Sequence, residues 1–159
     1  MKNIKKEIRY NPSSGDARVI LNTPIGKFIE YSYFNSEKDK GEPSEWIGCS
    51  IAEDRAMIDY TKAKIRLKRA EMKGLQRFIK SYYKDPKTQA KAKKLLQAMN
   101  EELEELLYEL EEYRKNIKAA IKSRETYNRL KNVDRSARNA QMRFIQQGIA
   151  ALKSQDKTD

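Results

Sequence analysis

Histidine is absent from the 159-residue chain, and cysteine occurs once. The missing imidazole removes the commonest general base, the commonest metal ligand and every Ser–His or Cys–His nucleophile pair. A single thiol excludes an internal disulfide and any cysteine-rich zinc site. Four prolines and six glycines leave few places to break a helix. No apolar run approaches the ~18 residues a membrane span needs, and no signal-peptide pattern opens the chain. These absences point away from enzymes and membrane proteins, toward a binding function without cofactor or metal.

What the chain has in abundance is charge. Charged residues make up 36% of it, with 34 basic against 23 acidic side chains and a net charge of +11. Hydrophobic residues at 38%, including nine Tyr, four Phe and one Trp, are too many for a disordered chain. The length suits one domain with a modest core. The charge lies in blocks: −1 over 1–54, +11 over 55–94, −7 over 95–113 and +8 over 114–159. Such blocks are usually solvated faces or internal counter-charges.

The opening reads as strands. Lys6–Tyr10, Ala17–Asn22 and Lys27–Phe34 are rich in Ile, Val, Phe and Tyr. Asn11-Pro12-Ser13-Ser14-Gly15-Asp16 and Thr23-Pro24-Ile25-Gly26 separate them as turns. Alternation in the third run is imperfect, so its buried face is not decided by pattern. A meander this small needs a helix to cover it. A polar linker over 35–45 follows, and Ser50-Ile51-Ala52-Glu53 has the spacing of a capping box. Trp46 and Ile47, just outside that cap, are expected to plug the seam between meander and helix.

From Ile51 to about Tyr83 the pattern is helical, with Ile51, Ile58, Ile65, Met72 and Ile79 at seven-residue intervals. Asp85-Pro86 stops it and starts the next helix, Asp as N-cap and Pro at the first helical position. There Leu96, Met99, Leu103, Leu106, Leu110, Tyr113, Ile117 and Ala120 form a 3-4 seam of nearly four heptads. The register fails over 122–132 and resumes at Val133, which predicts a kink or break and a third helix over 134–153. The expected organisation is α+β: a short N-terminal three-stranded antiparallel meander with linker (1–45), then a long antiparallel helical hairpin plus C-terminal helix (46–153). A frayed tail (154–159) ends it.

In such a hairpin, positions summing to about 170 face each other. The acidic run Glu101–Glu112 then lies opposite 58–69, which holds Lys62, Lys64, Arg66, Lys68 and Arg69. Opposite-sign flanks of this kind set register, as e and g positions do in coiled coils. One row of cations exceeds this need. Lys62, Arg66, Arg69, Lys73, Arg77, Lys80 and Lys84 step by three or four and lie within an arc of about 80°. Only its first half can be neutralised by the acidic run. Beyond it stand Lys87, Lys91, Lys93 and Lys94, with Phe78, Tyr82 and Tyr83 among the cations. The candidate partner-binding residues are therefore the seven cations with Tyr82 and Tyr83. A second basic region, Lys115, Lys118, Lys122, Arg124, Arg129, Lys131, Arg135 and Arg138, flanks the register break.

A basic tip with aromatics fits a phosphate backbone or a protein presenting an acidic surface. Helix-turn-helix spacing, zinc fingers and RNP-type strand motifs are all missing, which argues against sequence-specific readout. Ser13-Ser14-Gly15 is a turn and not a phosphate loop. Glu101/Glu105 and Glu105/Glu109 share a helix face, but carboxylates alone make a poor metal site. Cys49 reads as a small buried hydrophobe.

The whole layout resembles small phage-encoded anti-CRISPR proteins, in particular staphylococcal inhibitors of type II Cas9. The resemblance runs through Lys5-Lys6-Glu7-Ile8-Arg9-Tyr10, Ala17 to Asn22 and Gly26-Lys27-Phe28-Ile29-Glu30-Tyr31. It continues in Trp46-Ile47-Gly48-Cys49-Ser50-Ile51-Ala52-Glu53 and the Lys/Glu-rich helices. It implies a stoichiometric inhibitor of the Cas9–guide RNA complex, a monomer when free, in the cytoplasm of a bacterial host. DNA mimics present carboxylates for phosphates, so a chain of +11 points instead to restraint of a nuclease domain, with direct nucleic-acid contact possible. The alternative is a basic nucleic-acid-binding accessory protein of phage replication or recombination. A third reading gives the Leu96–Ala120 seam to self-association in a coiled-coil scaffold.

Overall fold

A computed structural model describes residues 3–35, 43–82, 85–133 and 143–151, without the side chains of Tyr82 and 124–133. The chain opens with three antiparallel strands, β1 (Lys5–Asn11), β2 (Asp16–Thr23) and β3 (Gly26–Ser32), in the order β1-β2-β3. The first turn is tight. Gly15 donates its amide to the Asn11 carbonyl at 2.8 Å, and Asn11 Oδ1 accepts from the Ser13 amide. Gly15 sits at φ +76°, where a side chain is strained, and a Cβ there would run into Pro43 and lie 2.9 Å from Phe34 Cβ. The register pairs Ile8 with Val19 and Val19 with Glu30, so odd-numbered β2 residues face one way and even-numbered ones the other.

The odd face is covered by α1 (Glu45–Tyr82). Ala17, Val19 and Leu21 pack with Ala52 and Ala56, and the small helix residues let the backbones approach closely. Phe28 meets Tyr60 with ring centroids 5.5 Å apart. This settles the third run: Phe28, Glu30 and Ser32 face the helix, while Ile29 and Tyr31 are exposed on the other side. The meander thus obtains the covering helix it requires.

The start of α1 corrects two expectations. Its N-cap is Ser44, whose carbonyl accepts from Gly48 and whose Oγ accepts from the Ile47 amide at 3.4 Å. Ser50 lies in the second turn, because Trp46 to Cys49 carry no helix breaker apart from one tolerated glycine. Ile47 is buried with Ile51 and Ala120, as a seam residue should be. Trp46 is not: it is 73% exposed, since a helical Ile47 that faces inward turns its neighbour outward.

The second helix, α2 (Pro86–Val133), begins at Asp85, whose carboxylate accepts from the Lys87 and Thr88 amides and from the Thr88 hydroxyl at 2.8 Å. These bonds hold the Asp85 carboxyl below the usual aspartate range. All eight expected seam positions from Leu96 to Ala120 are buried or half-buried. Ile58, Ile65 and Leu110 form one cluster, joined by Leu103, Leu106, Tyr113 and Ile117. Ion pairs Lys64–Glu109 and Lys68–Glu102 sum to 173 and 170, which is the facing rule of an antiparallel pair. The seam therefore works within the chain.

Contacts divide the chain into two units: 1–34 with 43–121, and 35–42 with 122–159. The second contains the last turns of α2 and a short helix, α3, over residues 143–151. The expected break over 122–132 is not present, and α2 continues to Val133. Nothing in that stretch forbids a helix, since it has no Pro or Gly; losing an apolar register removes a packing face without breaking backbone hydrogen bonds. Residues 134–142, where α3 was expected to begin, lie outside those described.

Candidate polyanion-binding face

The basic row lies on α1 between the sheet-covered half and the end of the helix. Lys62, Arg66, Arg69, Lys73, Arg77 and Lys80 are all exposed. They follow one another at three- or four-residue steps, so Lys62 to Lys80 spans about 27 Å along the axis. Lys84 and Tyr83 lie outside the described residues, and Tyr82 is placed only by its backbone. Phe78, 42% exposed, falls among these residues in sequence but lies about 100° or more around the helix from each of the six cations.

Charge pairing separates two sets of cations that sequence alone merges. Lys64 and Lys68 lean toward α2 and pair with Glu109 and Glu102, and Lys68 also reaches Glu71 at 3.7 Å. The hydrogen bond with Glu102 is the main cause that holds the Lys68 ammonium above its ordinary range. Lys64 additionally lies 4.6 Å above the Tyr60 ring. Among the described residues, none of the six cations of the row has a carboxylate within 4 Å. Arg66 donates only to the Lys62 carbonyl, at 3.5 Å. The expectation that the acidic run neutralises the first half of the row is therefore corrected. The lacing positions are 64 and 68, and they shield neither Lys62, Arg66 nor Arg69.

The start of α2 adds to the positive face. Lys87, Lys91, Lys93 and Lys94 are exposed and have no carboxylate partner among the described residues. Further along, Glu111–Arg114 and Glu112–Lys115 pair at i, i+3 (2.6 and 3.0 Å), while Glu101, Glu104 and Glu105 stay exposed without a cation partner among the described residues. Of the second basic region, Lys115 is thus paired and Lys118 exposed, and the side chains of Arg124, Arg129 and Lys131 are not described.

The other titratable groups of interest sit where α1 meets the sheet and α2. Burial, and then the charge of Glu53, pushes the Asp54 carboxyl up to about 6. Glu30 is raised by burial and by sharing a hydrogen bond with Asp59. Cys49 is half-buried, and burial followed by Glu45 and Glu53 pushes its thiol up, away from a reactive thiolate. Among the described residues no three metal-ligating side chains cluster, and no helix is long and apolar enough to cross a membrane. The geometry offers an extended array of guanidinium and ammonium groups on a rigid helix, which suits a string of phosphates or an acidic protein face.

No family model matches the chain, and no curated protein or solved structure matches it.

Proposed function

We propose that this protein is a stoichiometric inhibitor of a CRISPR–Cas9 nuclease, an anti-CRISPR that binds the Cas9–guide RNA complex. On this reading it blocks cleavage by restraining a nuclease domain. The observation that supports it is the row Lys62–Lys80, six exposed cations without a carboxylate partner among the described residues. Side chains that only solubilise a helix are usually interspersed with opposite charges. Here the counter-charges are nearby on α2 but engage Lys64 and Lys68 instead. A guide RNA or the acidic flank of a nuclease domain is the complementary surface. Competition with target DNA by mimicry is disfavoured by a net charge of +11.

The same row supports a second reading, a nucleic-acid-binding accessory protein of phage replication or recombination. The two differ in what is bound. Co-elution of this protein with a staphylococcal Cas9–guide complex at one-to-one ratio, lost in the Arg66→Glu, Arg69→Glu, Lys73→Glu variant, is the outcome expected of the inhibitor. Tight binding to naked duplex together with no co-elution would favour the accessory protein.

A further inference from the structure

The face of the sheet turned away from α1 is not an ordinary polar surface. Register places four cross-strand rows on it: Lys5, Asn22 and Lys27; Glu7, Ile20 and Ile29; Arg9, Arg18 and Tyr31; and, at the end, Asn11 and Asp16. Tyr33 follows Tyr31 on the same side, and their rings stack in parallel, 5.6 Å apart at 7°. Tyr31 is 37% and Tyr33 65% exposed. Beside them is a cavity of about 260 Å³ whose walls include Arg9, Arg18, Tyr31, Tyr33 and Asp16.

We propose that this corner is a binding site for single-stranded nucleic acid, with a base stacked on the Tyr31–Tyr33 pair and a phosphate held by Arg18. The site lies apart from the basic row of α1 and goes beyond the inhibitor reading. Stacking needs exposed, rigid aromatic planes on a sheet, and every base has a π-face to offer. The tyrosine pair supplies them: Tyr31 is held on β3 by the ladder to β2 and by Arg55, which donates to the Tyr31 carbonyl at 2.7 Å, and Tyr33, just past the strand end, stacks on it.

Charge favours the same occupant. Four cations, Lys5, Arg9, Arg18 and Lys27, share this face with two anions. Glu7 is already paired with Arg9 at 2.6 Å, and Asp16 Oδ1 accepts from the Phe34 amide at 3.1 Å. Arg18, Lys5 and Lys27 have no carboxylate partner among the described residues. The Arg18 guanidinium lies beside the tyrosine rings, across the strand pair from Tyr31, with no carboxylate to neutralise it among the described residues, and a phosphate supplies that charge.

The test is fluorescence anisotropy of the full chain with labelled oligo-dT and oligo-U of roughly ten nucleotides, beside a duplex of equal length. Tyr33→Ala is expected to weaken single-strand binding roughly 5- to 150-fold, while Tyr33→Phe, which keeps the ring, binds as the parent does. Duplex binding should be unchanged by Tyr33→Ala. Tyr33 is mostly exposed, and circular dichroism checks that the fold survives. The proposal is overturned if the parent binds neither oligonucleotide at low salt, or if Arg66→Glu with Arg69→Glu abolishes single-strand binding while Tyr33→Ala leaves it intact. Sedimentation showing a dimer that Tyr33→Ala converts to monomer would also overturn it, since a second copy would then be the occupant.

Discussion

Thr61 on α1 is fully buried, and its hydroxyl has no hydrogen-bond partner among the described residues. An unsatisfied buried hydroxyl costs more than an apolar group of the same shape. Thr61→Val should therefore raise the stability of the protein by about 1 kcal/mol in urea denaturation, against the usual direction for a core substitution. Gly15 argues the other way. Its positive φ and the closeness of Pro43 and Phe34 leave no room for a Cβ, so Gly15→Ala should lower stability by more than about 1 kcal/mol. A change within error of zero would contradict the turn geometry. Asp54 gives a pH signature. Its folded carboxyl is raised to about 6 from an ordinary 3.8, so the folded state binds the proton more tightly than the unfolded chain. Ionisation of Asp54 then opposes folding fully above pH 6, and the opposition fades as pH falls toward 4. Asp54→Asn should stabilise the protein at pH 7, on the order of 1 kcal/mol after screening of a half-exposed group, and make little difference at pH 4. Melting curves at the two pH values measure this.

At the scale of elements, the hairpin is held by its apolar seam and set in register by two ion pairs. Truncating Ile65, buried against Leu110 and its neighbours, should cost about 2–5 kcal/mol, whereas Lys68→Ala should cost under ~1 kcal/mol because its partners are exposed. Equal losses would mean that the charges carry the hairpin. Heptad spacing made this element legible in the sequence: the seam from Leu96 to Ala120 is the buried one, and Asp85-Pro86 is the cap it reads as. Turn residues fixed the three strands just as directly. Four features could not be read. The cap lies at Ser44 because both Ser44 and Ser50 are competent caps, and only packing of Ile47 against Ile51 and Ala120 decides between them. The length of α2 was hidden because loss of apolar register resembles a break. The two populations of cations on α1 differ by only two residues in spacing, so the pairing of Lys64 and Lys68 and the freedom of Arg66 and Arg69 emerge only when α2 is in place. The tyrosine corner was missed as well, since imperfect alternation in β3 left its exposed face undecided.

For the whole molecule, the charge of +11 resolves into an internally balanced lacing and an unbalanced row. If the row meets guide-RNA phosphates, each contact contributes about 0.7–0.9 to the logarithmic salt slope of binding. Replacing Arg66, Arg69 and Lys73 by Gln should then flatten that slope by about 2–3 and weaken binding mainly at low salt. An unchanged slope would place the row outside the interface. The inhibitor reading itself stands or falls on a single paired titration: DNA cleavage and target-DNA binding by a staphylococcal Cas9–guide complex with increasing amounts of this protein. The account predicts that cleavage is lost near one-to-one stoichiometry while target binding is retained. Undiminished cleavage at excess protein, or loss of target binding in step with cleavage, would contradict it.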